Sequence, residues 1–369
     1  MIKIAATASF GIESIVAEEL KNLGYDNLKI DNGKIIFDGN FFDVCISNIF
    51  LRTAERVLII LKEFKAQTFD DLFEGIYDYN WEDILPVDAN IYVKGRSYKS
   101  KLFSVKDCQA ITKKAIIERL KKKYKKDWFE ETGELYPFEI MLNKDIATIV
   151  LDTSGEGLHK RGYRKYINQA PLKETIAASM IMLSRWRKKE EALWDPFCGT
   201  GTIPIEACLM AKNIAPGLNR SFIAEKWGLI PEKDWERARI FAMQAVDNSS
   251  KPHIIASDID KEALSASQKN AKIAGVLKDI AFMNKDATKI EKIADKGIIV
   301  TNPPYGQRMI PEELSKLYKN FGQALKKFDN WRFFILSGYE QFEKAFGMKA
   351  KRNRKLYNGD IKTYLYFYI

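Results

Sequence analysis

The chain has 369 residues, of which 46% are hydrophobic, with four cysteines and two histidines. Its length fits two domains, its apolar fraction excludes a disordered chain, and its scattered cysteines exclude a disulfide framework or a zinc site. With 59 basic and 49 acidic residues the formal charge is +10, which favours an anionic partner such as nucleic acid, a solvated lysine-rich surface being the competing source of the excess.

No apolar run reaches the roughly 18 residues of a membrane-spanning helix. The N-terminus lacks the apolar block of a signal peptide, so a cytoplasmic, metal-free protein is the simplest expectation. In chain order, residues 3–8 read as a strand and 9–23 as an amphipathic helix stopped by Gly24. Residues 28–30 and 34–37 flank Asp31-Asn32-Gly33, a hairpin signal. Helices are expected over 41–50, 69–77 and 105–126, and strands over 56–64, 90–95, 138–142 and 147–152. Because these do not alternate strictly, they predict an α+β region. Residues 153–169 mix glycine and basic residues with little apolar periodicity and read as a linker or loop. The expected division is therefore 1–160 and 161–369, and removal of residues 1–155 is expected to leave ligand affinity nearly unchanged.

From Leu172 onward the order becomes helix, strand, glycine turn, helix, strand, as a doubly wound α/β domain requires. Parallel strands are expected at 192–195, 254–257, 280–283, 297–301 and 332–336. The stretch 212–251 is too long for a plain crossover and reads as an insertion. Residues 351–357 and 361–369, joined by Asn358-Gly359-Asp360, predict a closing antiparallel hairpin.

Four strand ends carry chemistry, in three groups. At the first, Asp195-Pro196-Phe197-Cys198-Gly199-Thr200-Gly201-Thr202 places an acid before a Gly-x-Gly turn that opens a helix. Glycines admit close backbone approach to a ligand, and the missing lysine excludes a P-loop. Asp195 suits the ammonium group of an amino-acid-bearing ligand. At the second, Asp258 can accept from two ribose hydroxyls, and Asp286, after the next strand and beside Ala287, can accept from an adenine amino group. At the third, Asn302-Pro303-Pro304-Tyr305 follows an apolar strand. Two prolines fix an extended backbone without donors. The Asn302 side-chain oxygen and the Pro303 carbonyl can then both accept from one exocyclic amine, while Tyr305 offers a face to an extruded base. Attack by a neutral amine on a sulfonium methyl group is mainly a matter of positioning.

Together, Asp195–Thr202 and Asn302-Pro303-Pro304-Tyr305 resemble the amino-group methyltransferases of nucleic acids. Leu158-His159-Lys160-Arg161-Gly162-Tyr163-Arg164, Ala170-Pro171-Leu172-Lys173-Glu174-Thr175 and Ala215-Pro216-Gly217-Leu218-Asn219-Arg220-Ser221-Phe222 narrow this. They resemble the THUMP-domain RNA guanine methyltransferases, including the N-terminal half of the RlmL-type large-subunit rRNA enzyme. The resemblance implies a Rossmann-like class I methyltransferase domain, an α/β fold with a seven-stranded sheet ending in an antiparallel hairpin. It also implies a ferredoxin-like and THUMP region before that domain. It implies S-adenosylmethionine as cofactor and methylation of a guanine 2-amino group in RNA, with 23S rRNA preferred. The implied cofactor residues are Asp195, Pro196, Gly199, Thr200, Gly201, Thr202, Asp258, Asp286, Ala287 and Asn302. Asn302, Pro303 and Tyr305 are the implied catalytic residues, and Pro171–Glu174 would begin a helix covering the cofactor. As the chain ends after one such domain, a second activity is not expected.

For RNA contact the expected residues are Lys160, Arg161, Arg164 and Lys165 between the domains. Lys113, Lys114, Lys121 and Lys122 join them from a stretch, 112–126, with eight basic residues and one acid, for which a solvated helix face is the competing reading. Lys349, Lys351, Arg352, Arg354 and Lys355 mark the hairpin as a basic edge that discourages strand pairing. Cys198 reads as a packing residue, and His159 as structural or an RNA contact. A tRNA guanine methyltransferase, a DNA amino-methyltransferase and a non-catalytic RNA-binding assembly factor remain alternative readings, and the oligomeric state is open.

Overall fold

The structure is a computed structural model describing residues 1–166, 172–305 and 310–369. Two seven-stranded sheets organise it. The first contains β1 (Ile2–Ala8), β2 (Lys29–Asp31), β3 (Lys34–Gly39), β4 (Ala54–Lys65), β5 (Asn90–Tyr98), β6 (Leu135–Asn143) and β7 (Ile146–Asp152), in the order β2-β3-β1-β4-β7-β6-β5. Only β5 and β6 run parallel within it. Helices α1 (Glu13–Asn22), α2 (Phe41–Phe50), α3 (Phe69–Tyr77) and α4 (Val105–Tyr124) belong to this half. Two begin where their sequences place capping boxes. Asn40 accepts from the amide of Phe42 while Asp43 accepts from Asn40, and Thr68 and Asp71 repeat the arrangement.

The second sheet contains β8 (Ala192–Asp195), β9 (Ile254–Asp258), β10 (Ile280–Asn284), β11 (Gly297–Thr301), β12 (Trp331–Ser337), β13 (Arg352–Asn358) and β14 (Ile361–Tyr368). Its order is β10-β9-β8-β11-β12-β14-β13. The first five are parallel, and β14 inserts antiparallel between β12 and β13. All four residues of β8 and all five of β11 are buried, as strands covered by helices on both faces must be. Those helices are α5 (Glu174–Ser184), α6 (Thr202–Ala211), α8 (Lys261–Ile273), α9 (Pro311–Leu325) and the short α10 (Phe342–Phe346), α7 (Glu232–Gln244) lying apart. The strand order reverses direction at β8 and β11, which is where an open α/β sheet forms its ligand crevice.

Three expectations need correction. The first helix starts at Glu13, not residue 9, because Gly11 takes φ +93° and its loop packs against β13, where a Cβ would collide with the Lys355 carbonyl oxygen. The region after β7 is a loop over its described residues, as one of its two readings had it, but no free linker. Thr153, Ser154, Leu158, Arg161 and Tyr163 are buried, and Asn48 of α2 bonds both Thr153 (2.9 Å) and Ser154 (2.7 Å). Residues 167–169 of that stretch lie outside the described residues. The insertion, finally, serves the other half. Phe222, Trp227, Trp235, Ala238 and Ala242 join the core of the first sheet, α7 lies on α2, and the Trp227 indole donates to Leu135 of β6. A cut near residue 155 would expose those rings, so independent ligand binding by residues 161–369 does not follow from the packing.

Candidate active site

At the carboxyl end of β8, Asp195 is almost wholly buried. Its Oδ1 accepts from the Thr301 hydroxyl at 2.6 Å and from the Phe197 amide at 3.2 Å, tying the ends of β8 and β11 together. Burial, with the nearby Asp258 charge, pushes its carboxyl up to about 7. Behind it, Pro196 is buried and the turn Cys198–Gly201 closes with a 2.8 Å backbone bond. Gly201 takes φ +90° as the N-cap of α6, and any side chain there would strike Ser267 of α8. Thr200 and Thr202 are buried on either side, and the Thr200 carbonyl accepts from Asn270 at 3.1 Å.

Asp258 closes the other side of this turn. Its Oδ2 accepts from the Gly199 amide at 2.8 Å and its Oδ1 from the Asp260 amide at 3.0 Å. Each oxygen keeps a further lone pair for a hydroxyl. Burial raises this carboxyl as well. Asp286 accepts from the Thr288 amide (2.9 Å) and hydroxyl (2.7 Å), starting a 3-10 turn whose Ala287 is buried. Burial drives the Cys198 thiol well above its ordinary value, which suits packing and not nucleophilic work.

Across the crevice, β11 delivers Asn302. Its Oδ1 is buried and accepts no hydrogen bond among the described residues. An acceptor in that state costs about 1–3 kcal/mol and calls for a donor. Pro303 is buried, and the Pro304 carbonyl accepts from Tyr318 of α9 at 2.7 Å, whose hydroxyl also meets Ser337 at 3.1 Å. The Tyr305 ring lies against the end of β12, 3.1 Å from where a Cβ on Gly338 would stand. Asp195, the glycine turn, Asp258, Asn302 and Tyr305 thus line the switch point, with Asp286 one strand further out.

Sequence reading missed the supports. Thr301, Ser267, Asn270, Tyr318, Ser337 and Gly338 hold the site residues from elsewhere in the chain. Asn270 gave one signal, a polar residue on the buried face of an amphipathic helix, and it also receives the amides of Lys165 and Tyr166. Arg161 and Arg164 are corrections. The Arg161 side chain is buried 3.6 Å from Glu206, and its guanidinium donates to the carbonyls of Leu158 and Arg52. Arg164 pairs with Glu174 at 2.8 Å and donates to the Leu172 carbonyl. Arg161 ties the halves together through the Arg52 carbonyl and is buried, while Arg164 is held within the second half with its charge already paired. Lys160 and Lys165 stay exposed, Lys160 beside Glu156. On α4, Lys113 pairs with Glu131 and Lys121 with Glu118, Lys114 lies over the Phe73 ring, and Lys122 is exposed. The covering helix begins at Glu174, while Pro171 lies outside the described residues.

Residues 161–366 match the RMKL-like methyltransferase domain. The chain belongs to the RMKL-like methyltransferase family. Residues 3–58 match the RlmL ferredoxin-like domain and 66–152 the THUMP domain, as the resemblance implied. The chain is 45% identical over 368 residues to YpsC of Bacillus subtilis, provisionally named an RNA methyltransferase, covering 99% of this chain and 95% of that one. It is 34% identical to the ribosomal RNA large subunit methyltransferase K/L of Psychromonas ingrahamii, covering 96% of this chain but 48% of that one. The chain therefore spans about half the length of the K/L relatives. A structure from Listeria monocytogenes, described as a predicted N6-adenine-specific DNA methylase, is 43% identical with a TM-score of 0.94, covering 100% of this chain and 96% of that one. SMU.472, provisionally a methyltransferase and complexed with SAH, is 38% identical with a TM-score of 0.93, covering 100% and 97%. This RMKL-like protein is an S-adenosylmethionine-dependent methyltransferase. Its site fits that cofactor: the Gly201 turn leaves no room for a side chain of its own, and each Asp258 oxygen, bonded to one amide, keeps a lone pair for a further donor.

Among the described residues no helix is long and apolar enough to cross a membrane, and no group of three or more His, Cys, Asp or Glu gathers to hold a metal.

Proposed function

We propose that this methyltransferase modifies the exocyclic 2-amino group of a guanosine in RNA, with 23S rRNA as the preferred substrate. The buried Asn302 oxygen at the end of β11, unpartnered among the described residues, carries the reading. When bound, the cofactor supplies a methyl group on a positively charged sulfur. Asn302 Oδ1 and the Pro303 carbonyl accept the two N–H bonds of the target amine and so point its lone pair into the crevice. That methyl carbon would pass to the nitrogen as its bond to sulfur breaks, the sulfur keeping the electron pair and the nitrogen releasing one proton to water. Asp195 and the Gly199–Gly201 turn would hold the methionine part, Asp258 the ribose and Asp286 the adenine, with the buried Ala287 beside it. Tyr305 would stack on the extruded base.

The THUMP domain and the names of the K/L relatives support RNA, and large-subunit rRNA within it. The Listeria name supplies a second reading, adenine in DNA. The test is methyl transfer by the purified protein to 23S rRNA, tRNA and DNA from a strain lacking the gene, followed by mass analysis of nucleosides. N2-methylguanosine in 23S rRNA is expected. The same nucleoside in tRNA alone would move the substrate, and N6-methyladenine in DNA would replace the reading.

A further inference from the structure

The closing hairpin carries side chains that this chemistry does not use. Its register pairs Lys355 with Tyr364 and Tyr357 with Lys362. Paired residues on adjacent strands share a face, as do residues two apart, so lysine and tyrosine alternate across one face of the hairpin. The Lys355 ammonium lies 5.1 Å from the Tyr357 ring centre, and Lys362 lies 5.3 Å from that of Tyr364. Asp360, at the turn, is the one acid between residues 351 and 369.

A third ring comes from the other half of the molecule. Phe10 meets Tyr357 edge-on at 6.0 Å, and the Lys355 ammonium stands 5.7 Å from its centre. The loop that delivers Phe10 is fastened to the hairpin from both sides. Gly11 packs on the Lys355 carbonyl, its own carbonyl accepts from Arg354 Nε at 2.6 Å, and Arg354 also donates to Ser14 at 2.9 Å. Yet Phe10 remains 55% exposed. An aromatic ring anchored this firmly and left in water is built for a partner and not for the core.

The ledge adjoins the crevice. The Lys362 carbonyl oxygen would lie 3.3 Å from a Cβ on Gly338, the same point that is 3.1 Å from the Tyr305 ring. At the turn, Asn358 accepts from the Lys173 amide at 3.2 Å, just before α5. We propose that Phe10, Lys355, Tyr357 and Lys362 hold the single-stranded RNA flanking the target nucleotide. Bases stack on the two rings and phosphates pair with the two lysines. Single strands are specified because ring faces reach only unstacked bases, and a target base that must be extruded leaves its neighbours unstacked. The inference rests on RNA being the substrate.

The full-length protein is tested with a short fluorescent single-stranded RNA, with the same sequence as a duplex, and in steady-state methylation of 23S rRNA. Phe10→Leu keeps apolar bulk and removes the ring, and Tyr357→Leu does the same on β13. Each should weaken single-strand binding roughly tenfold, about 1.4 kcal/mol. Each should raise KM for RNA in step, while kcat, melting temperature and SAH affinity hold. Duplex binding should not change. Lys355→Gln should lower the slope of log affinity against log salt by about one. Wild-type single-strand affinity and KM in a normally melting Phe10→Leu protein would overturn the ledge. A wild-type protein that methylates no RNA overturns the parent reading, an outcome distinct from variants failing beside an active parent.

Discussion

The two walls of the crevice are finished to different degrees. On the wall proposed for the cofactor the acids are already engaged: Asp195 accepts from Thr301 and Phe197, and Asp258 from Gly199 and Asp260. On the wall proposed for the target amine the Asn302 oxygen accepts nothing among the described residues, although Tyr318 and Ser337 brace the backbone two residues on. A wall that satisfies itself is rigid before its ligand arrives, which lowers the ordering cost of binding. An acceptor held ready but unbonded keeps its strongest interaction for the reacting group.

The largest break in this contrast is expected from Asn302→Ala. Single-turnover methylation should fall about 10²–10³-fold, while SAH affinity stays within about tenfold. Loss of SAH binding alone would move Asn302 to the cofactor wall. Asp258→Ala should do the reverse, weakening SAH by ~1–3 kcal/mol in calorimetry and releasing the Gly199 amide from its partner.

Proton linkage sharpens the comparison. The Asp195 carboxyl, raised to about 7, is mostly protonated in the free protein below that pH. If the cofactor's ammonium group pairs with its ionised form, affinity should rise with pH, about tenfold per unit below 7, and level off above. Asp195→Asn should flatten that profile. The same raised value makes the protonated carboxyl stabilise the free fold. That contribution is full below the ordinary aspartate range and is lost as pH rises through 7, so melting of the free protein should show the opposite trend. The smallest effect is expected from Tyr305→Phe. It keeps the ring face, and methylation should remain near normal; a loss as large as that in Asn302→Ala would assign the work to the hydroxyl.

How much of this could be read from sequence follows from where each partner sits. The parallel strands and the hairpin were readable because apolar runs, a glycine turn and Asn-Gly are local signals. The site motifs were readable because each lies on a few consecutive residues at a strand end. Their supports were not, since Thr301 reaches Asp195 and Asn270 reaches Thr200 across intervening elements. Arg161 and Arg164 were misread for the same reason. In a stretch of glycine and basic residues they look solvated, whereas Glu206 of α6 takes Arg161 inside and Glu174, at the start of the next helix, takes up the charge of Arg164. Glu206 held the clue: one acid within the apolar TIPIEACLMA segment demands a buried cation. The insertion's length was legible, but not that its tryptophans complete the first sheet's core.

That misplacement of Trp227 and Trp235 reaches back to the birth of the chain. A ribosome releases residues in order, and domains ordinarily fold as they emerge. Here the first sheet leaves the exit tunnel without the rings that close its core, because they are encoded after β8 and α6. The nascent first half must stand with that seam open until the insertion arrives. A messenger truncated after residue 160 is therefore expected to yield a sticky, chaperone-bound fragment, and an intact one a protein whose halves mature together.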